Sequence, residues 1–378
     1  MKVKLCKIAD IMTGTTPSMK VDEYYDSNDI PFIKPDSFKS QFQLEASSFI
    51  SNKAERKARV VYENCILVTC IGIIGKVGIT SQKVAFNQQI NSLNVKPYYD
   101  IEYIAYNILF NKDRLQRICN SAVVPLINKT QFSNFEISIN KDIVIQRDIK
   151  NRLNLLSSII NNNKKKLLLL EDIIKSRFDE FNKNNIHVKN LKLEDICTSI
   201  VRGPFGSALK VESFVKKSDT SVKVYEQSNA IQKSAIIGSR YISREHYESL
   251  RRFKCKPGDI IMSCSGTIGE LFILPSDAEE GIINQALCKF TLGKDLLPEV
   301  FLLYMDILIG NIETKGSGIK NISAIKFIKN LEIPVPPIGV QNKLLFELNQ
   351  INKLKSDVQK SINETQLLMD SLMQEYFG

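Results

Sequence analysis

The sequence predicts an α+β protein with two globular domains of mixed helices and strands, separated by two long helices that form an antiparallel coiled coil within one chain. Three observations support this fold class: short motifs occur twice in the same order, each copy opens with β-like segments broken by turn residues, and each copy closes with a heptad pattern. The repeat also predicts a pseudo-twofold internal symmetry. The predicted segments are a first globular domain at 1–142, a first long helix at 143–187, a second globular domain at 188–337 and a second long helix at 338–378.

The repetition is clearest in a glycine turn that ends an apolar, strand-like run. ENCILVTCIGIIG at 63–75 aligns with PGDIIMSCSGTIG at 257–269, and FNQQI at 86–90 aligns with INQAL at 283–287. Weaker matches are ADIMT at 9–13 with EDICT at 194–198, LINKTQF at 126–132 with IKNISAI at 319–325, and FEI at 135–137 with LEI at 331–333. One ancestral unit therefore occurs twice in order, with loops of different length between the matches.

A heptad stripe of apolar residues runs through the end of each copy. Its positions include Leu153, Leu156, Ile160, Asn163, Leu167, Leu170 and Ile174 in the first copy, and Leu348, Ile351, Val358, Ile362, Met369 and Leu372 in the second. Neither helix can bury such a stripe alone, so we expect the two stripes to pack against each other. Asn163 and Arg177 are polar positions in the first stripe, and Asn163 is either a device that fixes the register or a hydrated defect. The alternative interpretation is two ordinary core helices in independent domains.

The chain is basic, with a formal net charge of +10 and a pI near 9.0. This charge predicts attraction to polyanions, of which nucleic acid is the commonest, although a lysine-rich composition without functional meaning would give the same value. No apolar run approaches the ~18 residues of a membrane span, and the first residues lack a signal-peptide core. We therefore expect a cytoplasmic protein without a membrane partner.

Residue types that carry common catalytic chemistry are sparse. The cysteines occur singly and only His187 and His246 are histidines, so we expect neither a zinc or haem site nor disulfides. GIIGK at 72–76 has two residues between its glycines and Val77 after its lysine, so it is not a Walker phosphate loop. The carboxylates of Glu194 and Asp195 belong to a repeated segment in which only the Asp recurs, which argues against a nuclease metal site.

Several stretches together resemble the DNA-specificity (S) subunit of type I restriction-modification systems. GTTPS at 14–18, followed by DIPFIKPDSF at 29–38, resembles the opening of a target-recognition domain. The stretches that resemble a second such domain and its spacer are RGPFGSALK at 202–210, the GTIG turn at 266–269, NQAL at 284–287 and IPVPPIGVQNKL at 333–344. The likeness covers essentially the whole chain. The first copy departs from the pattern, because SINKDIVIQ at 138–146 lacks the prolines, and we expect this domain to join its helix at a looser angle.

The resemblance implies a sequence-specific DNA-binding subunit that is not itself an enzyme. Each target-recognition domain would read one half of a split, asymmetric double-stranded DNA target, while the coiled coil sets the gap. Methylation and cleavage would be the work of partners in defence against foreign DNA: two modification subunits that use S-adenosylmethionine, with an ATP- and Mg-dependent restriction subunit left open. The residues agree, because no glycine-rich cofactor loop is present and the single Pro-Pro pair is followed by Ile338 instead of the aromatic residue of a DNA methyltransferase motif.

Loops rich in Gly, Ser, Thr and Lys are the predicted DNA contacts, because their backbone can approach DNA closely and their side chains reach phosphates. The candidates are Thr15, Thr16, Ser18, Lys20, Lys34 and Lys76 in the first domain, and Arg202, Ser207, Lys210, Gln227, Asn229 and Thr267 in the second. Gln227 and Asn229 carry amides that can pair with adenine edges. Asn87, Gln88, Asn284 and Gln285 recur in both copies and are predicted to be structural.

Three other interpretations remain open from the sequence. The chain could be the specificity subunit of another restriction class, in which a fused nuclease-methyltransferase replaces the separate partners, and the neighbouring genes would decide this. It could be a standalone protein that binds a bipartite DNA site without a partner. It could also be a coiled-coil scaffold, which would lack salt-dependent binding to DNA.

Overall fold

The computed structural model describes residues 1–119, 125–184, 188, 190–314 and 325–378, and these residues form two compact units. Unit 1 is Met1–Leu169 together with Lys355–Gly378, and unit 2 is Leu170–Leu354. Each unit therefore combines a globular part with adjoining segments of both long helices. His187 and most of the repeat at 319–325 lie outside the described residues.

The strands of unit 1 form three sheets. They are β1 Lys2–Lys4, β2 Ala9–Thr13, β3 Ile30–Ile33, β4 Phe49–Ile50, β5 Val60–Val61, β6 Ile66–Thr69, β7 Val77–Ile79, β8 Val84–Phe86, β9 Ile90–Val95 and β10 Glu136–Ser138. β1 pairs with β10, a main sheet has the order β2-β9-β6-β7, and a small sheet has the order β4-β3-β8-β5. The β3–β8 pair is parallel, and the other pairs are antiparallel.

Most helices of unit 1 follow the two four-stranded sheets in the sequence. They are α1 Leu5–Ile8, α2 Ile101–Phe110, α3 Lys112–Arg117, α4 Lys129–Asn134 and the first part of the 42-residue α5, Ile143–Asn184. Short 3-10 helices span Asp22–Tyr24 and Asn52–Lys57. Side-chain caps set two of the starts: Asp100 accepts a hydrogen bond from the backbone N–H of Tyr103, and Asn128 and Gln131 form a capping box.

Unit 2 repeats this topology. Its strands are β11 Asn190–Lys192, β12 Cys197–Arg202, β13 Ser221–Tyr225, β14 Tyr241–Ser243, β15 Lys254–Cys255, β16 Ile260–Ser263, β17 Leu271–Ile273, β18 Gly281–Ile283, β19 Leu287–Leu292 and β20 Glu332–Pro334. Each strand pairing of unit 1 recurs with the strand numbers raised by ten, including the parallel β13–β18 pair. The predicted α+β class with two repeated, sheet-containing domains is confirmed.

The helices of unit 2 include short ones around the sheets and two longer ones. They are α6 Leu193–Ile196, α7 Gln227–Ile231, α8 Arg244–Ser249, α9 Pro298–Thr314, α10 Ile325–Lys329 and the first part of α11, Ile338–Phe377. Short 3-10 helices span Gly206–Leu209, Val211–Ser213 and Arg251–Phe253.

The main sheet of each unit is buried on both faces, which explains its unbroken apolar strands. On β6, Ile66 and Val68 belong to the core beneath the helices, whereas Leu67 belongs to the core beneath the small sheet. On β16, Met262 belongs to the core beneath the helices, and Ile261 belongs to the core beneath the small sheet. Because successive side chains of a strand point to opposite faces, a strand with two covered faces needs apolar residues at every position.

The repeated glycine turn joins β6 to β7 in unit 1 and β16 to β17 in unit 2. Gly72 and Gly75 have φ of 74° and 81°, and Gly266 and Gly269 have φ of 67° and 91°. Glycine adopts this left-handed region without steric cost, so the turn selects glycine for its backbone geometry. GIIGK is therefore a strand-connecting turn.

A buried glutamine fixes the start of each long helix. The side chain of Gln146 in α5 accepts a hydrogen bond from Asp100 N at 2.8 Å and donates to Asn140 O at 2.7 Å. Gln341 in α11 accepts from Leu297 N at 2.9 Å and donates to the carbonyls of Asp295 and Pro336. Equivalent glutamine hydrogen bonds thus fix the start of both helices. The structure therefore does not support the expected looser angle between the globular domain and its helix in the first copy.

In unit 1, α5 and α11 pack antiparallel. Asn163 Nδ2 donates to Ser361 Oγ at 3.1 Å, while Arg152, nearer the start of α5, hydrogen-bonds Tyr376, nearer the end of α11. One hydrophobic core contains Ile149, Leu153, Leu156, Ile160, Ile362, Met369, Met373 and Phe377, with Leu167, Val358 and Leu372 packed against it. These residues lie at the heptad positions or directly beside them.

In unit 2, the end of α5 and the start of α11 also share one core. Phe178, Phe181, Leu344 and Leu348 are buried there, with Ile174 and Ile351 packed against them, and Leu170 is half-buried. Arg177, a predicted stripe position, is exposed, and the neighbouring Phe178 is buried in its place. An aromatic side chain gains from burial, whereas an unpaired guanidinium would lose its hydration. None of the described helices is both long and apolar enough to cross a membrane.

The buried Asn163 provides a test of the helix pair. We predict that Asn163→Ala lowers the free energy of unfolding, and that a double-mutant cycle with Ser361→Ala gives a coupling energy of about 0.5–1.5 kcal/mol, since a buried hydrogen bond is removed. Urea unfolding measures both quantities. The matched control is Asn162→Ala, because Asn162 is exposed on the same turn. Equal effects of the two alanine substitutions would contradict the assigned hydrogen bond.

Candidate nucleic-acid interface

A glycine follows the first strand of the main sheet in each unit and touches backbone there. A Cβ added to Gly14 after β2 would lie 2.1 Å from Asn87 O, and one added to Gly203 after β12 would lie 1.8 Å from Asn284 O. No side chain fits at these distances. Each glycine therefore lets a loop leave the sheet directly over the repeated asparagine.

Asn87 and Asn284 connect the small sheet to the main sheet. Their backbone N–H groups donate to Ile33 O at 3.1 Å and to Tyr225 O at 3.0 Å, at the ends of β3 and β13. Their side-chain Oδ1 atoms accept from the backbone two residues later, at Gln89 and Ala286. Both asparagines are buried, which agrees with the structural role predicted for them.

The glutamine after each asparagine has a different environment. Gln88 and Gln285 are exposed beside the glycine loop. Thr16 Oγ1 donates to Gln88 Oε1 at 2.5 Å, and Arg202 Nε donates to the backbone carbonyl of Gln285 at 3.4 Å. The two glutamines are therefore surface residues beside the glycine loop.

The glycine loop of unit 1 carries four of the predicted contacts. Thr15 Oγ1 donates to the backbone carbonyl of Lys57 at 3.2 Å, and Thr16 is exposed beside Gln88. Ser18 and Lys20 are exposed farther along the loop. The structure thus brings Thr15, Thr16, Ser18 and Lys20 together on one surface.

Lys34 and Lys76 lie outside the glycine loop, and both contact other residues of unit 1. The Lys34 ammonium lies 5.6 Å from the centre of the Phe32 ring, and Lys76 Nζ donates to Pro35 O at 2.9 Å. This hydrogen bond connects the glycine turn between β6 and β7 with the segment after β3. Lys76 therefore has a structural contact, and its predicted DNA contact stays a prediction.

Arg202 and Lys210 delimit the glycine loop of unit 2. The Arg202 guanidinium donates to Cys264 O at 3.4 Å and lies 5.3 Å from the centre of the Phe205 ring, whose residue is 70% exposed. Lys210 is exposed, and its carbonyl accepts a hydrogen bond from Ser213 Oγ at 2.6 Å. The side chain of Ser207 lies outside the described part of the structure.

The amides predicted to read base edges fall in two environments. Gln227 is half-buried and accepts from Ser265 Oγ at 2.9 Å, next to the turn that exposes Thr267. Asn229 is fully buried, accepts from Glu226 N at 2.8 Å and donates to the carbonyls of Ser234 and Ile237. Because these bonds occupy its amide, Asn229 is corrected to a structural residue.

The cysteines beneath the two loops have different partners. In unit 2 the thiol of Cys288 hydrogen-bonds Cys264, which lowers the pKa of Cys264, and the nearby Arg202 adds to this effect. The pKa of Cys288 is raised well above its usual value by the same bond and by burial. In unit 1, Asn91 Nδ2 donates to Cys70 Sγ at 3.2 Å, and burial raises the pKa of Cys70 to about 12. The two units thus use different side chains around the corresponding cysteines.

Comparison with known proteins places this architecture in a family. The sequence model described as "Type I restriction modification DNA specificity domain" matches residues 1–172 and 185–365. This chain belongs to that family. The resemblance predicted from its motifs is confirmed, as is the presence of two repeated specificity domains.

Curated relatives and solved structures agree with this assignment. The HindI specificity subunit of Haemophilus influenzae is 34% identical over 92 residues, which is 24% of this chain and 20% of that protein. The EcoprrI specificity subunit of Escherichia coli is 23% identical over 167 residues, 41% of this chain and 42% of that protein. These matches span less than half of either relative.

Two solved structures share the fold. A type I restriction-modification S subunit from M. genitalium has a TM-score of 0.58 at 12% identity and covers 100% of this chain and 96% of its own. A chain from a study of complex assembly and conformational transition of the type I R-M system has a TM-score of 0.61 at 11% identity, with coverages of 100% and 97%. The curated relatives and the M. genitalium protein are specificity subunits, in agreement with the predicted non-catalytic role.

Five basic residues near the loops of this chain were not among the predicted contacts. Arg56, Lys57 and Arg59 are exposed, and the carbonyl of Lys57 accepts a hydrogen bond from Thr15. Arg251 and Arg252 are exposed in the corresponding segment of unit 2. The signal that could have found them is weak: ERKAR at 55–59 and RRF at 251–253 each precede a short strand, but they match no repeated motif.

The close packing of the loop glycine is directly testable. We predict that Gly203→Ala lowers the free energy of unfolding by about 1–3 kcal/mol, because the new Cβ would overlap the backbone of Asn284 and the chain must shift. The control is Gly339→Ala in α11, where nothing lies within 4 Å of the added Cβ, and stability should be unchanged or up to about 1 kcal/mol higher. Thermal and urea unfolding measure both. Equal stability of the two variants would contradict the described contact.

Proposed function

We propose that this chain is the sequence-specific DNA-binding subunit of a type I restriction-modification complex, in which each repeated unit reads one half of a bipartite double-stranded DNA target. The observation that carries the proposal is the shared frame of the two loops. In both units a glycine packs on the carbonyl of a buried asparagine, and an exposed glutamine follows that asparagine. A duplicated frame of this kind suits a protein that contacts two separate sites of one polymer.

The residues around this frame support an asymmetric target. The loop reads TTPSMK after Gly14 and PFGSALK after Gly203, and Thr13 of the first unit corresponds to Arg202 of the second. Hydroxyl-rich and Arg–Phe surfaces offer different donors and shapes to base edges. We therefore propose that the two half-sites differ in sequence, with Thr15, Thr16, Ser18, Lys20, Arg202, Lys210 and Thr267 among the contacts.

The long helices support a fixed gap between the half-sites. α5 has 42 residues and α11 has 40, and neither is interrupted in the described residues. A continuous helix is stiff and rises about 1.5 Å per residue, and half-sites on one face of B-DNA lie about 34–36 Å apart per turn. We propose that the helix pair sets the number of unread base pairs.

Exposed apolar residues on the helices support docking of partner subunits. Leucines that are half or more exposed in unit 1 are Leu155, Leu168, Leu169, Leu367 and Leu368. Apolar side chains on the outer surface of a helix pair are typical of a further packing partner. We propose that two modification subunits dock there in the cytoplasm and use S-adenosylmethionine to methylate a flipped adenine in each half-site, and that an ATP-dependent restriction subunit can join them.

Long-read methylation sequencing tests this function. The chain is expressed in a host without the system, together with the methyltransferase encoded beside it, and the control expresses the methyltransferase alone. We predict a new modified-adenine motif with two unequal halves and a fixed gap, and copurification of the two proteins. A contiguous motif, or no motif from a complex that copurifies and binds S-adenosylmethionine, would contradict the proposal.

Two other results of this experiment would favour different assignments. Copurification with one polypeptide that carries both nuclease and methyltransferase motifs would assign the chain to another restriction class. Binding to a bipartite DNA site without any partner would make it a standalone DNA-binding protein.

A further inference from the structure

We propose, building on the function above, that Arg56, Lys57 and Arg59 in unit 1 and Arg251 and Arg252 in unit 2 are equivalent contacts to the DNA phosphate backbone. These five residues are named the basic clamps. In this proposal the clamps bind the phosphate backbone of each half-site independently of its sequence, and the glycine loops beside them contact the bases.

The two clamps occupy the same place in the fold. In unit 1, Arg56 and Lys57 end the 3-10 helix Asn52–Lys57, and Arg59 lies between that helix and β5. In unit 2, Arg251 and Arg252 lie within the 3-10 helix Arg251–Phe253, which directly precedes β15. β5 and β15 each pair antiparallel with the corresponding strand of the small sheet, β8 or β18. A basic segment therefore recurs at this position of the fold in both units.

Unit 1 holds its clamp against the glycine loop. Thr15 Oγ1 donates to Lys57 O at 3.2 Å, so the loop and the clamp are joined by a hydrogen bond. Farther along the loop, Tyr25 Oη donates to Pro17 O at 2.7 Å. Tyr25 packs in the same apolar cluster as Ala54, which lies in the 3-10 helix of the clamp.

Unit 2 makes the corresponding contact through apolar side chains. Leu209 in the loop and Phe214 just after it pack in one cluster with Leu250 and Phe253. Leu250 and Phe253 flank the two clamp arginines on either side in the sequence. The loop and the clamp are thus fixed side by side in both units, although by different chemistry.

The charges of the clamps are mostly left without carboxylate partners. Within the described residues, Arg56, Lys57, Arg59 and Arg252 make no ion pair, whereas neighbouring lysines do: Lys53 lies 3.3 Å from Glu23, and Lys83 lies 2.8 Å from Glu55. Arg251 pairs with Glu248 at 2.6 Å. Exposed cations that stay unneutralised beside a candidate loop favour a polyanionic ligand.

The comparison of the two units favours phosphate over bases as the clamp ligand. Bases differ between the two half-sites of an asymmetric target, whereas the phosphate backbone is common to both. The clamps recur with the same charge type, whereas the glycine loops differ in composition. The clamps, which are common to both units, therefore suit the phosphate backbone, and the glycine loops, which differ between the units, suit the bases.

The salt dependence of DNA binding tests the clamps. The variants are R56Q/K57Q/R59Q and R251Q/R252Q in the full chain, and the probe is a duplex of mixed sequence titrated between about 50 and 200 mM salt. We predict that the slope of log affinity against log salt becomes shallower by about 0.9 for each phosphate that the variant no longer neutralises. The methylated motif of cells that express the variants should keep its sequence and gap while the methylated fraction falls.

Matched controls remove the same charge at the opposite end of the first main-sheet strand. K4Q/K7Q/K96Q flanks the start of β2, where Lys96 N bonds Ile8 O, and K294Q/K326Q flanks the start of β12, where Gly293 N bonds Ile196 O. These controls should keep the wild-type slope. All substituted positions are exposed, and thermal unfolding checks that each variant is folded.

Two results would overturn the inference, and both are distinct from failure of the proposed function. Clamp variants with the same slope as their controls would assign the clamps to ordinary solvated surface. Clamp variants that alter a base of the motif would assign them to base reading. If the wild-type chain directs no bipartite motif, the proposed function itself fails, whatever the clamp variants do.

Discussion

The contact between a glycine and the carbonyl of a buried asparagine is the constraint on which the rest of each unit depends. At Gly14 and at Gly203 it fixes the point where a loop leaves the main sheet, and the asparagine beneath bonds the backbone at the end of the small sheet. Because the contact is made by backbone atoms, the loop side chains take no part in it. The scaffold can therefore stay constant while the exposed surface changes, which is the property that a protein with two different recognition sites requires.

The long helices depend on a second shared constraint, which lies at their starts. Gln146 and Gln341 are both fully buried and bond the backbone before α2 or α9 as well as the segment before their own helix. Prolines directly precede only the second of these helices, yet the glutamine makes equivalent hydrogen bonds at the start of both. The prolines are therefore not needed for these hydrogen bonds. In both units the helix pair then adds its apolar stripe to the core of the globular part. In each unit, the globular part and its segments of the two helices consequently share one hydrophobic core.

The repeat, the fold class and the helix stripes could be predicted because the residue types themselves carry those patterns. Left-handed turns select glycine, and a shared seam selects apolar residues at heptad spacing. Individual site residues could not be predicted as well, because tertiary partners decide their exposure. Asn229 has the residue type of a DNA contact, yet backbone carbonyls that come together only in the fold accept both hydrogen bonds of its amide N–H groups. Conversely, Lys57 and Arg251 match no motif, and the fold places Lys57 and the two residues that flank the arginines of unit 2 beside a loop.

The central claim is that each unit reads one half of the target, and an exchange of the first globular domain tests it most directly. Residues 1–142 are replaced by the corresponding domain of a family member with a different known motif, and the hybrid is expressed with the same methyltransferase. Long-read methylation sequencing should then find a motif in which one half has changed to that of the donor, while the other half and the gap stay as in the wild type. A change in both halves, or an unchanged motif from a folded hybrid, would contradict the claim.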